Sequence, residues 1–438
     1  SLQVPLVNVE VVVTDAKGEP IRDLAPTDFE VFEDGSPVEI THFSSPKATA
    51  IEAGEEGSSE TAIPEAPDRD VYLALYFDEL NVNPRIRGTA VNQLKKYLAH
   101  PLPPNVRTSV VRFNGQLHIE CEPTRDQGQL LLALERVSRY SPMDITRDGD
   151  FLVRQMQIDS SSQLRLGSAD VFSEAAADQG ASLRQVMNSD YLPLINHYAS
   201  QRYLRNRESL AGLSNFVSYL QGLAGRKVVV WVGSMETRSG ENLFRTFEQL
   251  FPARARAAGV NSMMDSMKYD LTTELRDMVQ YASSQRVSFY PIGALGLDST
   301  VNFDFDNRIL EGGGPPGTSG PVDYRAEANA LQVMAASTGG RTLNDSALGA
   351  RLVRLSDDLD SAYSLAYRPS TLGDSAYHKI AVTVDRDEAV VRHRQGYRVE
   401  SSADELSART VSAALLGITD NPLEINISTR LQESRDDG

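Results

Sequence analysis

The stretch VYLALYFDELNV, residues 71–82, decides the fold. Its first seven side chains are apolar or aromatic without a break, and they end on Asp78. A run that is apolar at every position has no solvent face, so it reads as a strand buried on both sides, in a parallel sheet covered by helices. Such a strand delivers its last residue to the rim where open α/β sheets place their sites. A carboxylate there suits a hard cation, yet the residues beside it, Leu80 and Val82, bring no oxygen.

Outward from this strand the pattern alternates. Apolar residues at helical spacing predict a helix over Arg87–His100, with Ala90, Leu94, Tyr97 and Leu98 on one face. Strands follow at Arg107–Phe113 and Leu117–Cys121, then a helix at Gln127–Val137 and a strand at Lys227–Val232. A helix at Leu271–Gln285, a strand at Val287–Ile292 and a helix at Ala326–Ser337 complete the series. Alternation of this kind predicts a doubly wound, mostly parallel α/β domain over residues 71–358. An excess of chain at about 140–202, with a helical patch at Ala181–Met187, leads into a long helix over Tyr198–Leu223. An insertion of that length beside the presumed rim is a candidate lid or contact surface. The stretch GGGPPGTSGP, residues 312–321, is a second excursion.

Both ends of the chain read as β. Val7, Val9, Val11 and Val13 alternate, and Phe29–Phe32 and Val38–Thr41 are expected to pair across the turn Glu33-Asp34-Gly35. So few strands cannot bury a core alone. The missing partners lie at Tyr363–Tyr367, His378–Val384 and Ala389–His393, which predicts one discontinuous β-sandwich from residues 1–47 and 360–400. Residues 48–70 read as an acidic linker, rich in Glu, Ala, Ser, Gly and Pro. Residues 401–438 read as a helix, Ala403–Leu416, and a strand, Leu423–Ser428, that opens a further domain or docks on a neighbour.

Charge narrows the function. With 43 Lys and Arg against 60 Asp and Glu, the 438-residue chain carries a net charge of -17, which repels nucleic acid and anionic lipid. The single cysteine, Cys121, excludes an internal disulfide and a Cys-based zinc site, and no apolar run is long enough for a membrane span. The chain opens on SLQVPLVNVEVVV, directly with a strand, which reads as a trimmed start and fits an exported protein.

Rival chemistries leave weaker marks. Gly233-Ser234 ends a strand, but the sequence around it lacks the G-x-S-x-G elbow. GALGLDS, residues 293–299, has two glycines after a strand and no third, and no Walker-type phosphate loop occurs. Asp357-Asp358 reads as solvated helix surface, and Arg392-His393-Arg394 as a charged sandwich edge. Trp231 lies in an apolar strand and reads as core.

Several stretches in consistent order carry a family resemblance. They are VVVTDAKGEPIRDLAPTDFEVFEDGSPVEITHF (residues 11–43), YFDELN (76–81) and AGRKVVVWVGS (224–234). TGGRTL (338–343), YSLAYRP (363–369) and HKIAVTVDRDEAVVRHRQGY (378–397) follow. Together they resemble the acidobacterial VWFA-related domain of secreted proteins, over about residues 4–400. The resemblance implies a von Willebrand factor A-like α/β domain inserted in an immunoglobulin-like sandwich. It also implies a metal-ion-dependent adhesion site, built from D-x-S-x-S after the first strand, a Thr from a later loop and an Asp after the fourth strand. Asp78 matches the first Asp, while Leu80 and Val82 stand where two serines belong. Thr146 is the candidate Thr; Ser234 stands near the expected second Asp, with Glu236 as its substitute.

The expectation is therefore a non-enzymatic, exported (extracellular or periplasmic) adhesion-like module with a degenerate metal site. Its protein-binding rim is expected to hold Asp78, Asn81, Thr146, Ser234 and Glu236, without a cofactor. Magnesium at Asp78 is the one metal weighed, with Glu79 and Asn81 as further oxygens. The alternative is a structural subunit of an extracellular or envelope assembly, self-associating through the insertion or the C-terminal strand.

Overall fold

The computed structural model describes residues 6–46, 70–82, 84–140, 146–167, 191–293, 325–343, 348–370, 376–398 and 402–416. Linker residues 48–69, the patch at 181–187, the excursion at 312–321, residues 294–299 and the strand expected at 423–428 lie outside them. Four strands come first: β1 (Val7–Thr14), β2 (Phe29–Glu33), β3 (Ser36–Val38) and β4 (Ile40–Ser44). Next are β5 (Val71–Asp78), α1 (Pro84–Leu98), β6 (Val106–Phe113), β7 (Leu117–Thr124), α2 (Gln127–Arg139), α3 (Thr146–Gly167) and α4 (Tyr191–Gln221). They lead to β8 (Arg226–Val232), α5 (Glu241–Leu250), α6 (Pro252–Ala257), α7 (Ser262–Ser266), α8 (Thr272–Ser284), β9 (Val287–Ile292), α9 (Arg325–Thr338) and α10 (Leu348–Asp360). The chain continues through β10 (Tyr363–Tyr367), β11 (Tyr377–Val384), β12 (Val390–His393), β13 (Gly396–Arg398) and α11 (Ser402–Leu416).

The central sheet runs β7-β6-β5-β8-β9. Neighbours are parallel except β7, which lies antiparallel on the edge beside β6. All eight residues of β5 are buried, and the two-residue period divides them between two cores. Leu73, Leu75 and Phe77 meet Leu94 of α1, Leu134 of α2 and Leu352 of α10 in one core. Tyr72, Ala74 and Tyr76 meet Phe216 of α4, Met278 of α8 and Met334 of α9 in the other. Trp231 is fully buried in β8, as its sequence context implies.

The strands near the two chain ends form two further sheets. One sheet runs β12-β1-β10-β4 and the other β13-β11-β2-β3, and they share a core that includes Val9, Val11, Phe29, Tyr363, Leu365 and Ile380. The expected hairpin is corrected in one respect. Ser36–Val38 pairs with β2, but the chain then crosses at Glu39, and Ile40–Ser44 pairs with β10 in the opposite sheet. Pro37 has no N–H and is confined to an edge, which β3 supplies. The turn itself holds, with Asp34 (φ 50°) and Gly35 (φ 85°) both left-handed as a tight hairpin requires.

An ionic seam joins sandwich to α/β sheet, and here two expectations fail. Asp358 is buried rather than solvated. It accepts from Arg392 at 2.6 Å, from Arg341 at 3.4 Å and from the Tyr290 hydroxyl at 3.1 Å. It sits on the helix stripe that also buries Leu352, Leu355 and Leu359, so the packing of α10 carries it inward. Arg394 is likewise no surface guard. Its guanidinium donates to Asn8 O at 2.6 Å and Ser283 O at 3.1 Å, and Glu10 pairs with Arg286 close by. Burial draws the Arg394 pKa down to about 10, against the pull of Glu10.

Candidate functional site

Asp78 ends β5, level with Phe113 of β6, whose carbonyl accepts from the Glu79 N–H at 2.8 Å. The chain then turns sharply. Asp78 Oδ1 accepts from the Leu80 N–H at 3.2 Å, and Oδ2 accepts from Asn81 Nδ2 at 3.3 Å. Leu80 packs against the α4-side core, and Val82 is buried in the α1-side core. The two positions that would carry serines are thus taken by packing.

What completes the locus is α4. Among its buried residues Ile195, Ala199, Arg202, Asn206, Ser209, Leu213, Phe216 and Leu220 follow in steps of four and three, a continuous stripe along the helix. The ends of the stripe are apolar, and its middle is polar where it passes Asp78. There the Ser209 hydroxyl donates to Asp78 Oδ2. Asn206 Nδ2 donates to the Glu236 carbonyl at 3.0 Å and to Ser239 Oγ at 3.2 Å. Arg202, 1% exposed, reaches the Glu236 carboxylate at 3.7 Å. Sequence reading missed all three side chains; the one signal is that they continue an apolar stripe in steps of four and three, which alone does not distinguish a buried polar residue from a solvent-facing one.

Burial pushes the Asp78 carboxyl up to about 6, against the hydrogen bonds of Ser209, Asn81 and the Leu80 N–H and the field of Arg202. Burial likewise pushes Glu79 up to about 7, against Arg87, which pairs with it at 3.2 Å. Arg87 also donates to Val137 O at 2.7 Å and to Tyr140 O, so Glu79 anchors the point where α2 gives way to the insertion.

The expected site residues are only partly brought together. Asp78, Asn81 and Ser234 are 0%, 2% and 3% exposed, so these three do not line an open rim. Asp78 is bonded by Ser209 of α4, and Ser234 lies in the loop directly after β8. Glu236 keeps partial exposure and is tied to Arg202 and Asn206. Thr146 opens α3, and only its backbone is described. Oxygen is not lacking, since Asn81 Oδ1, Asn206 Oδ1 and Glu79 Oε2 accept no hydrogen bond among the described residues. The D-x-S-x-S donor set does not fit, however. Its hydroxyl positions are core, a hydroxyl comes instead from α4, and a buried guanidinium already supplies positive charge.

Above this locus α3, the first half of α4, α5 and α6 form a helical cap. Its own core gathers Met156, Tyr191, Ile195, Phe244, Phe247 and Phe251. Several large apolar side chains are exposed on the cap or the adjoining segment 262–267: Phe151 (63% exposed), Ile158, Leu194, Leu204, Met263, Met264 (69%) and Met267.

No family model and no curated protein matches the chain. Solved structures give weak similarities. An aerotolerance-related membrane protein from Bacteroides fragilis aligns at 9% identity and TM-score 0.29, over 66% of this chain and 98% of its own. BatB from Bacteroides thetaiotaomicron aligns at 11% identity and TM-score 0.28, over 66% and 100%. Proximal thread matrix protein 1 of the mussel byssus, with a zinc-occupied MIDAS motif, aligns at 12% and 0.26, over 69% of this chain and 48% of its own. Scores this low carry no argument; the fold rests on the sheet order and packing described above.

Proposed function

We propose that this chain is a non-enzymatic, exported protein-interaction module. In this reading its α/β part is von Willebrand factor A-like and is inserted in an immunoglobulin-like sandwich, and its metal-ion-dependent adhesion site is degenerate. One observation carries the reading: Asp78 is wholly buried and engaged by Ser209 and Asn81 with Arg202 nearby, while Leu80 and Val82 belong to the cores. Recognition then falls to the outer surface of the cap, whose exposed apolar side chains suit a protein partner. Among the described residues no helix is long and apolar enough to cross a membrane, which is compatible with export.

Titration calorimetry with magnesium, calcium and manganese tests the site. Neither wild type nor Asp78→Ala should give binding heat, and heat from wild type that Asp78→Ala abolishes would sink the degenerate-site reading. The surface is tested by affinity capture from native extracts in excess chelator. A specific partner should be retained by wild type and lost from Phe151→Ser/Leu194→Ser. A partner released by chelator would return the function to a metal. A second reading, a structural subunit of a larger assembly, is favoured by Leu406, 68% exposed on α11. Concentration-dependent self-association in size-exclusion chromatography that Leu406→Ser removes would select it.

A further inference from the structure

A cleft of about 970 Å³ lies between α8, α9 and the sandwich strands β11 and β12, apart from the cap. Among the described residues its lining includes Arg276, Arg341, Lys379, Arg392 and His393 and not one Asp or Glu. In a chain with 60 acidic and 43 basic residues this is a local reversal of sign. The reversal is built into the floor. Asp358, beneath the lining, is the carboxylate shared by Arg341 and Arg392, and Arg226 donates to its backbone carbonyl at 2.9 Å. One carboxylate shared by the two lining guanidiniums of Arg341 and Arg392 leaves positive charge over, and low-dielectric walls focus its field into the opening. Gly339 and Gly340 make the arrangement possible. A Cβ on Gly339 would lie 2.7 Å from the His393 carbonyl carbon, and one on Gly340 would lie 1.8 Å from Phe289 O. Only a glycine pair brings Arg341 so close to both layers.

At the mouth Arg276 on α8 and Lys379 on β11 are exposed, and Arg276 joins no ion pair among the described residues. The acid beside Lys379 is Asp34, whose carboxylate is taken up by His378 and by the Lys379 N–H. Between the cations the wall is apolar, as at Val333. The cavity is far larger than a lone phosphate, and the last turn of α9, whose carbonyl end disfavours a compact dianion, forms part of its wall. Carboxylates spaced along a chain, with apolar side chains between them, match both features.

We propose that this interdomain cleft binds an acidic, partly apolar peptide segment of a partner protein, with carboxylates meeting Arg276 and Lys379 at the mouth and Arg341 and Arg392 within. The probe is a short fluorescein-labelled peptide alternating glutamate and valine, followed by anisotropy on the full chain. Saturable binding is expected, and it should vanish in about 1 M salt, where the screening length is about 3 Å. Arg276→Gln/Lys379→Gln changes only exposed side chains and should weaken binding about tenfold, the loss expected for two solvent-facing charge pairs. Circular dichroism should show the variant folded. No saturation by about 1 mM peptide, unchanged affinity in the variant, or equal binding of a lysine–valine peptide would each overturn the proposal. Equally effective competition by inorganic phosphate or a short oligonucleotide would also overturn it, showing an unselective anion site.

Discussion

At the scale of single residues, Asp78 and Arg202 set the character of the rim. Asp78 has an ordinary pKa of 3.8 and a folded value of about 6, raised chiefly by burial. Well below pH 3.8 the folded and unfolded chains both hold its proton. Above that the unfolded chain releases the proton first, so this group's contribution to stability is lost as pH rises toward and through 6. Each pKa unit is worth about 1.4 kcal/mol, so between pH 4 and pH 7 wild type should lose about 2 kcal/mol relative to Asp78→Asn. Urea unfolding of both chains across that range measures the difference, and parallel profiles would show that Asp78 is not desolvated. Arg202→Met should cost about 3–5 kcal/mol, because it leaves Asp78 and Glu236 without their buried counter-charge. If charge is the cause, adding Asp78→Asn should restore a good part of that loss, whereas simple additivity of the two changes would make the role of Arg202 one of packing.

At the scale of elements, what was legible in the sequence was whatever local pattern dictates. The all-apolar β5, the strands Val228 and Phe289 belong to, and the stripe of α8 state their burial in their own residues. The expected bounds of β5, β9 and β10 coincide with the structure. The short helices α5, α6 and α7 were not read, since they give too few turns for a periodicity to stand out, and α10 was not read although, with its stripe Leu348, Leu352, Leu355 and Leu359, it spans as many residues as the helix α2 that was. The polar middle of α4 was missed for a different reason. Arg202, Asn206 and Ser209 look like solvent-facing residues until β5 is set against them, and their partners Glu236 and Asp78 lie far away in sequence. Glycines separate local from tertiary constraint in the same way. Gly88 lies on the exposed face of α1, and a Cβ added there would meet nothing within 4 Å, so Gly88→Ala should stabilise by about 0.5–1 kcal/mol through helix propensity. Gly340→Ala would drive a Cβ into the Phe289 carbonyl and should cost about 3 kcal/mol or prevent folding. Thermal unfolding of the pair checks both signs, and a neutral Gly340→Ala would mean that the β9–α9 packing is looser than described.

At the scale of the whole molecule, the question is whether sandwich and α/β sheet unfold together. Domain contacts within a chain are by default mobile unless they are large or tightly bonded. Here the contact is threaded by buried charge. Glu10 of β1 pairs with Arg286 just before β9, Arg394 donates to carbonyls on both sides, and Asp358 of α10 receives Arg392 of β12. Burial tends to raise Glu10, yet Arg286 and Arg394 hold it below the usual carboxylate range, so the pair stays charged in the seam. These partners are separated by tens to hundreds of residues, which is why Asp357-Asp358 and Arg392-His393-Arg394 resembled ordinary surface charge in sequence. A charge network of this kind is costly to break from one side, since removing the carboxylate strands the guanidiniums that surround it. Wild type should therefore unfold in one calorimetric transition. Asp358→Ala should lower stability by about 3–5 kcal/mol and split the transition in two, with the sandwich and the α/β sheet melting separately. A variant that is destabilised but still melts in a single step would show that apolar contacts, rather than the ionic seam, hold the two parts together.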